Sequence, residues 1–196
     1  GDGRLTAALP VSDHTIVHGL DRDASRVAQA RRHIRSLGQY GRVSVEQWDG
    51  KALPYVDNLV NLLVVGDPEL VEQEEMMRVL APDSVAIVRD GGKWVKQVKP
   101  RPGNIDEWTH YLHDSSGNAV AHDDVVGPPR HYQWIGSPRW SRHHDHMASM
   151  SAMVSAGGRM FYIFDEGPIS SAQLPAQWSL VARDAFNGSI LWKQTI

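Results

Sequence analysis

A chain of 196 residues with 20 Lys and Arg, 23 Asp and Glu and a formal net charge of -3 has room for one good core or two small ones. That balance, with a pI near 6.4, excludes a dedicated nucleic-acid binder, which carries a basic stripe. The absence of cysteine excludes disulfides, thiolate metal sites and a cysteine nucleophile, and leaves the redox compartment open.

No apolar run approaches the roughly 18 residues that span a bilayer. The first residues also lack the charged start and apolar core of a signal peptide. Gly1-Asp2-Gly3 followed by RLTAAL reads as a glycine turn opening a short helix, where glycine permits close approach of backbone to a ligand. Residues 14–23, HTIVHGLDRD, predict a short strand ending at Asp21 and a handover at Asp23 to a helix. In an open α/β sheet ligands bind outside the carboxyl ends of the strands, where an acid such as Asp21 can accept hydrogen bonds from ribose hydroxyls.

Over residues 24–37, Val27, Ala30, Ile34 and Leu37 recur at helical spacing, with Asp23 as N-cap and Gly38 as the stop. Arg31, Arg32 and Arg35 read as a solvated basic face near the helix C-terminus. Residues 43–47 predict a strand closed by Trp48-Asp49-Gly50, and 60–65 a buried strand. A helix capped by Asp67 and Pro68 follows, with Leu70, Met77 and Leu80 pointing inward and Pro82 closing it, before a strand over 84–88. The order predicts a doubly wound parallel sheet.

Pro100-Arg101-Pro102-Gly103 reads as a linker. Residues 106–113, DEWTHYLH, predict one or two helical turns, and the Gly-, Pro-, Asp- and His-rich stretch up to residue 142 predicts an irregular segment packed over another element. From residue 150 the period changes. Residues 152–156 and 160–164 flank Gly157-Gly158, and 179–183 and 189–193 flank Asn187-Gly188, which predicts two hairpins.

The run GDGRLTAAL, then VHGLD, WDG, LPYVDNLVNLLVV and EEMMRVLAPDS resembles the class I S-adenosylmethionine-dependent methyltransferases over roughly the first ninety residues. The resemblance implies a Rossmann-like α/β fold that binds S-adenosylmethionine. By position, Gly1 and Gly3 match the loop beneath the methionine part, Asp21 the ribose acid, and Asp49, with Trp48 beside it, the adenine-side acid. Asn61 stands where the family often has an acid, and Pro82-Asp83-Ser84 replaces a Pro-Gly-Gly turn. The family's first strand, central in its sheet, would precede Gly1, so the resemblance implies a longer parent chain. No acceptor-activating base is assigned, because methyl transfer is mainly positioning.

The ending LVARDAFNGSILWK resembles the repeat of quinoprotein-type, pyrroloquinoline-quinone-like β-propellers, an Ala-x-Asp-x-x-x-Gly-x-x-x-Trp pattern matched by Ala182, Asp184, Gly188 and Trp192. One blade buries its faces against neighbours, so the expected partners are the remaining blades of the parent chain. The implied domains are a methyltransferase-like α/β domain over 1–99, a linker and His-rich segment over 100–149, and a first blade over 150–196. This order is similar to large multidomain proteins of planctomycete-type bacteria.

His143, His144, Asp145 and His146 are the densest group of metal-capable side chains; His144 and His146 would share a face of an extended segment, as His110 and His113 would on a helix. Asp114, Asp123 and Asp124 read as turn-formers. Three functions are therefore expected in competition: a methyltransferase-like domain with an unassigned acceptor, a non-catalytic module of an exported propeller protein, and redox activity through a quinone or metal in further blades. The propeller half implies the cell envelope and the methyltransferase half the cytoplasm. No GxGxxG spacing supports a dinucleotide site.

Overall fold

The computed structural model describes residues 1–125, 127–128, 132–137, 149–170 and 173–196. They divide into two compact units, Gly1–Pro54 with Asp67–Glu75, and Tyr55–Gly66 with Met76–Ile196. Among the described residues no helix is long and apolar enough to cross a membrane.

The first unit is built on a strand-helix-strand crossover. Helix α1 (Arg4–Ala8) precedes strand β1 (Val17–Asp21), helix α2 (Ala24–Ser36) and strand β2 (Val43–Gln47). The two strands pair in parallel, from Val17 opposite Val43 to Asp21 opposite Gln47. Helix α2 starts where the sequence places it, because Asp23 Oδ1 accepts the N–H groups of Ser25 at 2.7 Å and Arg26 at 3.2 Å. Its apolar stripe, Val27, Ala30 and Ile34, packs with Ala7, Val43 and Val45 into one core. Ile34 is fully buried, which stabilises the unit by roughly 1.5–3 kcal/mol relative to exposure. Arg32 and Arg35 are exposed as expected, whereas Arg31 is half-buried and its Nε donates to the Val45 carbonyl at 2.8 Å.

In the second unit, strand β3 (Val60–Val65) pairs in parallel with β4 (Leu80–Asp90), and β5 (Lys93–Val98) returns antiparallel to β4. The single doubly wound sheet is thus corrected to a two-stranded and a three-stranded sheet. Among the described residues β1 pairs with β2 alone and β3 with β4 alone, so each has one edge without a strand partner. The helix expected to continue to Leu80 breaks into a 3-10 turn at Pro68–Leu70 and helix α3 (Gln73–Val79). Leu80 already pairs with Val60, and strand pairing overrides the helical spacing.

Between Val60 and Leu62 on β3 the facing strand advances from Leu80 to Val85, which makes Pro82-Asp83-Ser84 a bulge, with Asp83 at φ 64°. Pro82 is accommodated because a bulge residue need not donate to the ladder. Strand β5 is an addition to the predicted elements, and Gly91-Gly92 at φ 53° and 82° forms the turn that starts it.

The last four strands, β6 (Met150–Ala156), β7 (Arg159–Asp165), β8 (Trp178–Asp184) and β9 (Ile190–Thr195), form an antiparallel sheet in sequence order. Its hairpin turns fall at the predicted glycines. Gly188 has φ 72°, and a Cβ there would meet the Trp134 ring at 2.3 Å, so the turn is closed by an indole lying on bare backbone. Asp184 Oδ1 accepts the N–H groups of Phe186 and Asn187 at 2.8 and 3.1 Å, which makes Asp184 a turn-former. Arg183 is buried and donates to the Tyr162 hydroxyl and the Gly188 carbonyl, both at 2.6 Å, and to the Ser137 carbonyl.

Candidate functional site

Asp21 is the last residue of β1, and its side chain is 15% exposed at the carboxyl end of the parallel pair. Its Oδ1 accepts the Asp23 N–H at 2.9 Å, and its Oδ2 accepts a hydrogen bond from the Gly1 amino group. Partial burial pushes the carboxyl up. The Asp23 N–H on Oδ1 and the charge of Arg26 pull it back down. The acid is therefore an ionised acceptor.

Gly3 precedes α1 with φ 84°, and a Cβ on it would lie 2.8 Å from both Cα and Cβ of Ala30. The glycine turn thus lets α1 seat directly on α2. Gly1, by contrast, has nothing within 4 Å of where a Cβ would stand.

Trp48 and Asp49 follow β2. The Trp48 N–H continues the ladder by donating to the Asp21 carbonyl at 3.0 Å. The indole is 8% exposed and donates from Nε1 to the Ala52 carbonyl at 2.9 Å. Arg22 lies 5.6 Å from its ring centroid and donates from Nη2 to the Gly50 carbonyl at 3.0 Å. Asp49 is exposed, and its Oδ1 accepts the Lys51 N–H at 3.0 Å, so one oxygen shapes the turn and the other stays toward solvent near Lys51 Nζ at 3.9 Å. Sequence reasoning missed Arg22. Its position directly after the strand-ending acid is the available signal.

A second group of polar side chains lies in the segment expected to be helical at 106–113. It is irregular instead, and closes on itself. Asp124 N–H donates to the Asn104 carbonyl at 3.2 Å, Asp106 N–H to Asp123 Oδ1 at 2.6 Å, and His122 N–H to Asp106 Oδ2 at 2.7 Å. Helix gives way because each acid caps local N–H groups rather than leaving them for the backbone ladder. Asp114 is the turn-former the sequence suggests, taking the Ser116 N–H at 2.8 Å. The loop docks on strand β6, where Ser155 N–H meets the Trp108 carbonyl at 2.7 Å and Trp108 N–H meets Ser155 Oγ at 3.0 Å.

Within this loop His113 is 3% exposed, and its Nε2 lies 2.6 Å from Asp106 Oδ2. The His122 ring stands edge-on to it, with centroids 5.2 Å apart. Hydrogen bonds from the His122 and Glu107 N–H groups and from His113 hold the Asp106 carboxyl down at about 2. His110 shares a bridge with His113 rather than a helix face. His143, His144 and His146 lie outside the described residues.

No family model matches the chain, and no curated protein matches it. Among solved structures it is similar to the YcgJ protein of Bacillus subtilis, at 20% identity over 38% of this chain and 34% of that one, with a TM-score of 0.34. It is also similar to the cyclase SpnF, at 25% identity over 37% and 29%, with a TM-score of 0.34. A SAM-dependent methyltransferase of Aquifex aeolicus matches at 25% identity over 37% and 42%, with a TM-score of 0.31. The chain spans about a third of the length of the first structures it matches.

Proposed function

We propose that the first unit is a methyltransferase-like domain that binds S-adenosylmethionine at the carboxyl ends of β1 and β2. The observation that carries this reading is Asp21, a partly buried hydrogen-bond acceptor at the carboxyl end of a parallel strand. Asp21 would receive the ribose hydroxyls and the glycine turn would face the methionine part. Asp49 would turn its solvent-facing oxygen to the adenine, while Trp48 supports the turn from below. The cofactor would supply an electrophilic methyl group, and the acceptor is unassigned.

Calorimetric titration of S-adenosylmethionine and S-adenosylhomocysteine into the wild-type protein and an Asp21→Ala variant tests the reading. Micromolar binding that the folded variant loses supports it. Absence of binding to the folded wild type overturns it.

A second reading has one observation in its favour. Asn61 on β3 is hydrogen-bonded to Asp184 and Asn187 at the β8–β9 turn, so the strands that follow the first unit serve as a support for the antiparallel sheet. In this reading that sheet is one blade of a quinoprotein-type β-propeller in an exported parent protein, and the α/β strands are scaffold. Trp192, 44% exposed on the outer strand β9, would be covered by a neighbouring blade. A parent chain located in the cell envelope favours this reading, and a cytoplasmic one favours the first.

A further inference from the structure

We propose that Asp106, His113 and His122 form a binding site for a first-row transition-metal dication, held by two imidazoles and one carboxylate. One ligand atom from each lies within 4.8 Å of the others. An ion with metal–nitrogen and metal–oxygen bonds of about 2.0–2.2 Å in tetrahedral geometry needs its ligand atoms roughly 3.3–3.6 Å apart. The Asp106–His113 contact at 2.6 Å must open slightly and the His122 ring must move inward. His122 is exposed and free to make that adjustment.

The two inner ligands are held from behind. Asp106 is fixed by its own N–H on Asp123 and by the Glu107 N–H on its Oδ1 at 2.7 Å, while Oδ2 takes the His122 N–H at 2.7 Å and faces His113. His113 sits edge-on against Trp108, with centroids 5.3 Å apart, and its Nδ1 is 3.5 Å from Asp114 Oδ2. A carboxylate behind the non-ligating nitrogen is the usual support of a metal-bound histidine, because it fixes the ring and turns the other nitrogen's lone pair toward the ion. The backbone of His113 has φ 70°, a left-handed conformation that non-glycine residues adopt at some cost.

A hydrogen-bonded Asp–His pair alone would account for Asp106 and His113. The backbone N–H of His122 on Asp106 Oδ2 brings that residue in, and its ring then stands edge-on to His113 as a second imidazole beside the same carboxylate. The donor set names the ion class: imidazole nitrogens favour zinc, copper(II), nickel or iron(II) over magnesium and calcium, and a chain without cysteine offers no thiolate to soft ions. Three protein ligands leave a fourth position, on the side of exposed His122, for water or an anion. The site lies in the second unit and does not depend on the S-adenosylmethionine reading.

The test is calorimetric titration of zinc chloride into the metal-stripped protein, with three variants compared. Those are His122→Ala, Asp114→Asn, and a triple variant with His143, His144 and His146 each changed to Ala. We expect one equivalent bound in the wild type and retained in the triple variant. Affinity should fall by about ten- to a hundredfold in Asp114→Asn and by at least as much in His122→Ala. His122 is exposed, so its replacement leaves the fold intact, which circular dichroism verifies. No binding by the wild type, or binding untouched by His122→Ala, overturns the proposal, as does binding abolished only in the triple variant.

Discussion

Asn61 Nδ2 donates to Asp184 Oδ2 at 2.8 Å across 123 positions of sequence, and Asn61 Oδ1 accepts from Asn187 Nδ2 at 2.6 Å. An amide is the side chain this position needs, because it must donate to one partner and accept from the other. An acid there would set a second carboxylate against Asp184 and lose the donor. Asn61→Asp is expected to cost about 1–2 kcal/mol, part of it recovered by added salt. Chemical denaturation at low and high ionic strength measures both effects, and an unchanged midpoint would show that the contact carries no stability.

The seating of α1 makes a second expectation. Gly3→Ala meets Ala30 backbone and side chain at 2.8 Å and forces a Cβ onto φ 84°. Left-handed backbone costs about 1–2 kcal/mol and overpacking about 1–3 kcal/mol, so a loss of roughly 2–4 kcal/mol is expected. Gly1→Ala, with open space around it, should leave the melting temperature nearly unchanged. Equal tolerance of both changes would mean that α1 does not pack on α2 in solution.

Arg183 places a cation inside the antiparallel sheet, and among the described residues its hydrogen-bond partners are neutral, the Tyr162 hydroxyl and the Gly188 and Ser137 carbonyls. Arg183→Met keeps much of the stem and strands those acceptors. With an unmet buried polar group costing about 1–3 kcal/mol, a loss of roughly 2–4 kcal/mol is expected on denaturation. Tyr162→Phe in the same background should add little, since the hydroxyl has already lost its donor.

Lys99 gives a pH dependence. Burial pushes its ammonium below the ordinary lysine value of 10.5, with Asp57 partly opposing, while Nζ donates to Asn58 Oδ1 at 2.6 Å and the Leu80 carbonyl at 2.7 Å. The folded protein releases this proton before the unfolded chain does. Between the two values the unfolded chain binds more protons, so the contribution of Lys99 to stability rises with pH up to 10.5. The unfolding free energy of wild type relative to Lys99→Met should therefore increase as pH is raised from neutral toward that value. A flat or falling difference would contradict the assignment.

The sequence by itself determined the features whose causes lie within a few residues. The helical stripe of α2, its Asp23 cap, the glycine turns of the last hairpins and the placement of Asp21 at a strand end follow from local periodicity and turn chemistry. Tertiary structure alone decided where partners come from afar. It split the expected sheet in two, turned Pro82-Asp83-Ser84 into a bulge, gave Asn61 its partners at the β8–β9 turn, and folded 104–124 so that Asp106, His113 and His122 converge. Those donors stand at no common helical or strand period, because the loop that gathers them is closed by side-chain capping of scattered N–H groups. Spacing along the chain therefore carries no trace of their meeting.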